Sequence, residues 1–356
     1  MRSKRVLSAV AVAAIAGLVV TACGSGDGGS GGNDGTLRLG LGEPKSLIPP
    51  NVGETEGGEI TQLVYSGLYT YDVDGSLKPV IADGAPTTED NKVWTIKVKP
   101  GFTFQNGEAI NAETFVKTWN YATYGPNGNK GSYFFDKVAG YADVQSGADP
   151  DGEEGPKKGA DPKAKELSGV KALDENTLEI TLDKPWIGFS TMLGYTAFYP
   201  MADACLAAVD ACNETPIGNG MYQFDGKWEH STAIKLKKWV DYKGEQPTIE
   251  KFNFKIYTGD ATAYPDFRAG TIDIAAPTAD KYAEAKSQYP DMIEVASNSH
   301  WSVGFPVYDD VFKDPKVRKA FSMAIDRQAF VDGVFQGRYT PANSWTPSII
   351  TGFLDN

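Results

Sequence analysis

Three cysteines and two histidines are the residues of this 356-residue chain whose types best suit covalent or metal chemistry. A nucleophilic enzyme needs a base beside its nucleophile, and we interpret the two histidines, His230 and His300, as surface or core residues rather than as bases. No nucleophile elbow, P-loop or dinucleotide-binding motif occurs between a predicted strand and helix, and no His/Cys cluster has metal-ligand spacing. We therefore predict no catalytic residues, no metal site and no cofactor.

Cys23 is the candidate for a modification site. A basic head at residues 2–5 precedes an apolar stretch at 6–20, which is too short for a comfortable membrane span of about 20 residues. This layout is typical of a secretory signal. The residues VTAC at 20–23 resemble the lipobox of bacterial lipoproteins. An ordinary secretory signal, with Cys23 near the cut by chance, is the alternative.

The lipobox resemblance implies that residues 1–22 are a lipoprotein signal peptide and that lipid is attached to Cys23. Stable anchoring takes more than one lipid chain. Residues 23–35 are rich in glycine and are expected to form a tether, because they cannot bury apolar surface. We expect the protein on the outer face of the cell membrane, held there by the lipid.

The charge of the chain excludes several classes of partner. The net charge is −12, and removal of residues 1–22 takes away three basic residues and no acidic residue, which gives −15. Such a chain is not expected to bind nucleic acid or to adhere electrostatically to anionic lipid. We expect a monomer of about two domains.

Cys205 and Cys212 are the remaining cysteines, and an exported pair can form a disulfide. In an unbroken helix seven residues rise about 10 Å, which is too far for a bridge. The chain must therefore turn between them, and residues 209–211 are the predicted place. The alternative is two free, buried cysteines.

The elements that must position any site alternate between strand and helix, which predicts an α/β fold. Strands are indicated by alternating apolar residues near 36–41, 93–98 and 251–256, and by a hairpin at 170–183. Asn111 is a predicted helix N-cap. A further strand is expected at 272–274.

Two longer segments complete this interpretation. Residues 314–337 are typical of one amphipathic helix, and Gly333 and Gly337 are expected to mark its end. Residues 125–169 look the least ordered of the internal stretches, and the part at 146–169, which is rich in Gly, Pro and charge, is expected to form a surface excursion.

Five sequence blocks, in order, resemble the peptide-binding family of ABC-transporter solute-binding proteins, which serve oligopeptide and dipeptide permeases. "VRKAFSMAIDR" and "GRYTPANSWTP" are similar to its C-terminal signature. "PIGNGMYQF" resembles its P-x-G-x-G-x-Y turn, with Met221 where proline is usual. "YSGLYTYDVDG", "WTIKVKPGFTFQNGEAINAETFVKTWNY" and "EPKSLIPPNVGE" resemble further blocks, the last in a form associated with actinobacterial members.

The resemblance implies a type II periplasmic-binding-protein-like fold, with two α/β lobes and an inserted extra domain. Lobe I is expected at 36–65 and 189–298, the inserted domain at 66–188, and lobe II from 299. Family members continue past the position that matches Asn356, so we expect a C-terminally truncated chain with an incomplete second lobe. A natural short variant is the alternative.

The resemblance also implies the function. We expect a lipid-anchored component that binds an extended peptide in the interlobe cleft and delivers it to an ABC permease and ATPase complex. The residues matching the family's cleft wall are Asn51, Glu54, Tyr133, Ala276, Trp301 and Ser302. One alternative is a non-peptide solute such as an oligosaccharide or a metal complex. The second alternative is an extracellular hydrolase, which the lack of a nucleophile–base pair disfavours.

Overall fold

The computed structural model describes residues 35–72, 75–145, 161–295, 298–350 and 353–354. The predicted signal peptide, the modification of Cys23 and nearly all of the tether lie outside these residues. Among the helices of the described ranges, none has the length and apolarity to span a membrane.

The strands occupy nine short segments of the described chain. They are β1 (Thr36–Leu41), β2 (Tyr69–Tyr71), β3 (Leu77–Pro79), β4 (Val93–Lys97), β5 (Val170–Asp174), β6 (Thr177–Thr181), β7 (Tyr222–Phe224), β8 (Ala233–Lys238) and β9 (Lys251–Ile256).

The α-helices are mostly short and follow or separate these strands. They are α1 (Thr55–Val64), α2 (Ala112–Thr123), α3 (Tyr141–Val144), α4 (Phe189–Met192), α5 (Asp203–Ala207), α6 (Val209–Glu214), α7 (Asp260–Arg268), α8 (Tyr282–Gln288), α9 (Asp310–Lys313), α10 (Pro315–Ala324) and α11 (Arg327–Phe335). Short 3-10 helices of one or two turns lie at Pro49–Asn51, Gly125–Asn127, Lys130–Phe135, Thr196–Phe198 and Ala279–Lys281.

One sheet has the strand order β1-β9-β8-β7, in which β1 and β9 are parallel and the other neighbours antiparallel. The alternation in β1 places Leu39 and Leu41 on the buried face, as predicted. Leu39 pairs in register with Phe254, and both enter one core together with residues of β7, β8 and α1. This sheet therefore fixes where the chain leaves β1 toward residues 43–54.

A second sheet has the antiparallel order β4-β6-β5 and is covered by α2. The predicted hairpin is confirmed, because β5 and β6 pair and Leu178 and Ile180 are fully buried. The predicted N-cap is also confirmed. Asn111 accepts a hydrogen bond from the Thr114 backbone N–H, and Thr114 accepts one from the Asn111 N–H, which completes a capping box.

The surface excursion predicted at 146–169 is exposed over most of its described part, residues 161–169, whereas residues 125–145 are more ordered than the sequence indicated. Phe135, Val138 and Val144 are buried in the core of the second sheet, and Leu167 is also buried there. These buried apolar residues lie in short helical turns that are otherwise largely polar. Neither the helical nor the strand period of hydrophobicity could therefore predict their burial. Residues 146–160 of this segment lie outside the described ranges.

The predicted strand at 272–274 is wrong, because only Ile274 pairs, as a single bridge with Leu39. The side chain of Asp273 is the physical reason. Its carboxylate accepts the Arg38 backbone N–H at 2.8 Å and also binds the Arg38 guanidinium. A side chain thus takes the place of the backbone acceptor that would continue the ladder.

The predicted single helix at 314–337 is two helices, α10 and α11. Ile325 has extended dihedral angles between them, and Asp326 caps α11 by accepting the Ala329 N–H at 2.9 Å. Aspartate stabilises a helix better at the N-cap than in the interior, which favours a new start at this position. Gly333 accordingly lies inside α11, and Gly337 follows its end with a φ of 74°.

Candidate functional site

The six predicted contact residues fall into two groups in the structure. The first group contains Asn51, Glu54 and Tyr133. Asn51 ends the 3-10 turn that follows β1, and its Oδ1 accepts the Lys130 backbone N–H at 3.2 Å. Lys130 begins the 3-10 turn that carries Tyr133. The structure therefore brings Asn51 next to the turn of Tyr133, although the two residues are far apart in sequence.

The Glu54 carboxylate already binds two backbone groups of the protein. It is the N-cap of α1, where Oε2 accepts the Gly57 N–H at 2.8 Å, and Oε1 accepts the Lys45 N–H at 2.8 Å. A Cβ atom at Gly57 would lie 2.4 Å from the Ser46 carbonyl oxygen, so only glycine fits beside this cap. A ligand contact of Glu54 stays a prediction, and its capping role is what the geometry shows.

Tyr133 belongs to a row of aromatic side chains that the sequence did not reveal. Its ring is 63% exposed and stacks on Phe134 at 4.5 Å between centroids. Phe134 lies 4.8 Å from Tyr195, which in turn lies 5.5 Å from Tyr71. Such flat, amphipathic side chains can contact apolar groups of a ligand. The only signal for this row in the sequence is the high aromatic content.

Close packing holds the inner end of the aromatic row in place. A Cβ atom at Gly194 would lie 2.8 Å from the Tyr71 ring, so the glycine lets that ring lie flat on the backbone. The Tyr71 hydroxyl donates to the Thr191 carbonyl at 2.6 Å. Burial raises the pKa of Tyr71, which keeps the hydroxyl protonated as a donor.

The second group contains Ala276, Trp301 and Ser302, all of them exposed. The Trp301 ring is 82% exposed and touches Phe335 and Tyr339 at centroid distances of 6.0 and 6.3 Å. Arg338, beside Tyr339, donates to the Pro277 carbonyl at 3.2 Å. This hydrogen bond joins the segment of Ala276 to the segment that packs on Trp301.

The backbone around Trp301 is open to a partner. Residues 301–304 are exposed and lie in neither a helix nor a strand. Their N–H and C=O groups form no hydrogen bond with any part of the chain that the structure describes. An extended ligand can therefore pair with this segment as an added strand would.

A cavity of about 450 Å³ adjoins the Ala276 segment. Its walls are mostly apolar and come from α7, α8, residues 289–292 and the residues on either side of Ala276. Tyr264 lines it, and the buried Tyr264 hydroxyl has no hydrogen-bond partner among the described residues. The volume lies in the range of small-molecule sites, and the depression is open to solvent rather than enclosed.

Cys205 and Cys212 are bonded to each other in the structure, with 5.4 Å between their Cα atoms. The chain turns at Ala208, whose φ of −143° separates α5 from α6. The predicted turn at 209–211 is therefore wrong, because these residues lie in the first turn of α6. Within the described ranges no group of His, Cys, Asp and Glu residues is arranged to hold a metal ion.

Comparison with known families gives a match over most of the chain. The profile of the bacterial extracellular solute-binding proteins, family 5 Middle, matches residues 76–356. Oligopeptide-binding protein OppA of Bacillus subtilis is 25% identical, with 99% of this chain and 65% of the relative aligned. The probable deoxycholate-binding periplasmic protein YgiS of Escherichia coli is 26% identical, and the glutathione-binding protein GsiB of Pectobacterium atrosepticum is 25% identical.

The chain spans 54–65% of the length of these three relatives. The alignments with YgiS and GsiB cover 87% and 86% of this chain.

Solved structures share the fold. The Escherichia coli murein tripeptide binding protein MppA gives a TM-score of 0.74 at 22% identity over 90% of this chain and 62% of its own. Peptide-bound OppA of Listeria monocytogenes gives a TM-score of 0.70 at 24% identity over 88% of this chain and 61% of its own. These matches confirm the predicted α/β fold of the periplasmic-binding-protein type.

Proposed function

Because the chain belongs to the bacterial extracellular solute-binding proteins of family 5, we propose that it binds peptides for import by an ABC transporter. The relative named an oligopeptide-binding protein aligns with 99% of this chain, which supports a peptide as the solute. The protein itself would perform no catalysis. It would hold the peptide and release it to a membrane permease whose ATPase supplies the energy.

The open backbone at residues 301–304 is the observation that carries this proposal. Every peptide offers the same N–H and C=O groups, so a protein that pairs with the peptide backbone tolerates many sequences. Trp301, on the same segment, offers a large exposed ring to the side chains of the ligand. The aromatic row of Tyr133 would add a second apolar contact surface on another part of the molecule.

The location of the protein follows from the same proposal. A binding component must stay near its permease, and a lipid on Cys23 would hold it at the outer face of the membrane. The strongly negative charge would keep the body of the protein away from anionic lipid. A monomer is sufficient for this role, because one chain carries all the predicted contacts.

A small non-peptide solute is the second candidate, and the cavity of about 450 Å³ beside Ala276 favours it. Two aligned relatives carry names that specify deoxycholate and glutathione as ligands. A compact apolar solute would bind in this cavity, whereas a peptide would lie along the open backbone.

Isothermal titration calorimetry separates the two candidates. Short peptides of mixed sequence are titrated into the protein beside the same peptides with N-methylated backbones, deoxycholate, glutathione and oligosaccharides. We expect the unmodified peptides to bind with little dependence on sequence, and N-methylation to weaken binding by about tenfold or more, because each lost hydrogen bond leaves an unpaired group.

A variant pair locates the peptide. Trp301→Ala is expected to weaken peptide binding by about tenfold, as for a central aromatic contact. Tyr308→Ala is the matched control, because Tyr308 is 86% exposed but lies outside the open segment. Binding of deoxycholate or a sugar without binding of any peptide would refute the peptide proposal in favour of the second candidate.

A further inference from the structure

The hydroxyl of Ser46 is the centre of a hydrogen-bond network behind the predicted contact residues. Ser46 is buried, and its Oγ donates to Asn213 Oδ1 at 3.1 Å. The same oxygen accepts the Ile48 N–H at 3.2 Å and the Asn51 side-chain amide at 3.4 Å. One hydroxyl thus joins a residue of α6 to Asn51.

The network continues from Asn51 to the turn of Tyr133. Asn51 uses its nitrogen toward Ser46 and its oxygen toward the Lys130 N–H, so both ends of the amide are fixed. Gly131, the next residue, lies so close to Pro50 that a Cβ atom there would be 2.7 Å from the Pro50 carbonyl oxygen. Any displacement of residues 46–51 would therefore be transmitted to the aromatic row.

Asn213 is the outer support of this network. Besides the Ser46 hydroxyl, its Oδ1 accepts the Leu47 backbone N–H at 2.9 Å. Leu47 is fully buried, so this N–H would lose its partner in an apolar place if the acceptor were removed.

Two links hold the end of α6 that carries Asn213. The neighbouring Cys212 is bonded to Cys205, which ties α6 to α5. Glu214 contacts His230 Nε2 at 2.8 Å, and His230 Nδ1 contacts Glu43 at 2.8 Å. The segment from Glu43 to Asn51 is therefore linked to this end of α6 at two places, at its first residue and near its middle.

We propose that Asn213 and Ser46 are positioning residues, which hold Asn51 and the turn of Tyr133 in the arrangement that receives the ligand. The ligand part of this role rests on the proposed function. The structural part does not, because the hydrogen bonds exist without a ligand. The acceptor oxygen of Asn213 is the feature that matters, since both of the groups it binds are donors.

Hydrogen–deuterium exchange of the whole protein, read by mass spectrometry, tests the structural part. Asn213→Ala is expected to speed amide exchange at residues 46–51 and 130–133 by about tenfold, because two hydrogen bonds are lost. Asn213→Asp keeps an acceptor at the same place and is expected to restore slow exchange. Asp210→Ala is the matched control, since Asp210 is exposed on the same helix.

Ser46→Ala is the second variant, and it removes the hydroxyl that donates to Asn213 without changing any residue of α6. It is expected to speed exchange in the same two segments, while α6 keeps wild-type exchange. Unchanged exchange in both Asn213→Ala and Ser46→Ala would overturn the positioning role. So would an Asn213→Asp variant that exchanges as fast as Asn213→Ala, because that result would point to packing rather than to the acceptor.

Peptide affinity, measured by calorimetry with a peptide that the wild type binds, tests the ligand part. Asn213→Ala is expected to weaken binding by about tenfold, and Asn213→Asp to restore it. Faster exchange with unchanged affinity would overturn the link between this network and the ligand. Failure of the wild type to bind any peptide would refute the proposed function, and the exchange data would still decide whether Asn213 and Ser46 fix the two segments.

Discussion

His230 shows how a single residue of this chain can be explained by its neighbours rather than by chemistry on a ligand. Its two ring nitrogens face the carboxylates of Glu43 and Glu214, each at 2.8 Å. The hydrogen bond with Glu43 raises the pKa of His230 most strongly, and the hydrogen bond with Glu214 raises it further. The ring also packs on Trp228 at 4.2 Å between centroids. The imidazole therefore serves as a link between three segments.

This link predicts a small dependence of stability on pH. Because the folded pKa is raised above the unfolded value of 6.5, the stabilisation is fully present below that value and is lost as pH rises through the folded pKa. Half of the side chain is exposed, so solvent screening reduces the effect to about 0.5 kcal/mol. Urea unfolding of the wild type and of His230→Gln at about pH 6 and about pH 9 should show this advantage of the wild type shrinking at the higher pH.

His300→Gln is the control for that experiment, because it removes the other histidine of the chain. The effect of the His230 link is the change with pH that His230→Gln shows beyond any change in this control. A difference between wild type and His230→Gln that does not change with pH would contradict the charged link.

Gly218 gives a second prediction at the scale of one residue. A Cβ atom there would lie 2.0 Å from the Val64 carbonyl oxygen, whereas nothing lies within 4 Å of a Cβ atom at Gly259. Gly218→Ala should lower the free energy of unfolding by about 1–3 kcal/mol, and Gly259→Ala should change it by less than about 0.5 kcal/mol. Urea unfolding measures both, and equal effects of the two substitutions would contradict the close packing.

The sequence could predict some of the site residues and not others. Asn51 and Tyr133 could be singled out because they lie in or near segments that resemble family motifs. Phe134 and Tyr195 could not, since their ring contact joins residues 61 positions apart and no local pattern records it. Asn213 was missed for the same reason: its partners Ser46 and Leu47 lie more than 160 residues away.

At the scale of elements, the break between α5 and α6 explains how the two cysteines meet. The chain leaves the helical conformation at Ala208, so the two short helices fold back and bring both sulfurs into the buried interior. The spacing of the two cysteines indicates that the chain must turn between them, but not at which residue. Ala208 carries no turn signal, because alanine is a good helix former.

The disulfide predicts a definite thiol count. In a Cys23→Ala background, no thiol should react under denaturing conditions without reductant, and two should react after reduction. Replacement of both cysteines by serine should lower the free energy of unfolding by about 2–3 kcal/mol, because a short loop of the unfolded chain is no longer closed. Two reactive thiols without reductant would contradict the bond.

Elements with strong local signals were predictable, and those that depend on distant partners were not. The hairpin of β5 and β6 and the capped start of α2 follow from alternation and from Asn111. The strand expected at 272–274 failed because Asp273 uses its carboxylate on Arg38. The break between α10 and α11 follows from Asp326, a capping residue inside an amphipathic pattern.

At the scale of the whole molecule, the two buried cores meet within one short segment. Phe198 belongs to the core under the β4-β6-β5 sheet, and Tyr199 belongs to the core of the β1-β9-β8-β7 sheet. A Cβ atom at Gly67 would lie 2.4 Å from the Tyr199 ring, so the chain packs tightly where the cores join. The sequence could predict the fold, because several motifs in the order found in the family identify the family more specifically than any single motif.

The division into lobes stays a prediction. Phe189, Phe198 and Met201 pack in the core that residues 66–188 mainly build, on the other side of the predicted boundary at residue 189. A domain boundary inferred from a family resemblance is one position in the sequence. A hydrophobic core, in contrast, contains side chains from both sides of that position.

Lipid attachment at Cys23 would determine where the whole protein is located in the cell. If the lipobox is processed, Cys23 carries lipid, and the protein made in a bacterial host should be found in the membrane fraction and should incorporate radiolabelled fatty acid. Cys23→Ala should abolish the labelling, because the sulfur that would carry the lipid is absent. Ser25→Ala is the matched control, since it changes the same segment without the sulfur, and it should behave as the wild type. Labelling that survives Cys23→Ala would contradict lipid attachment at this sulfur.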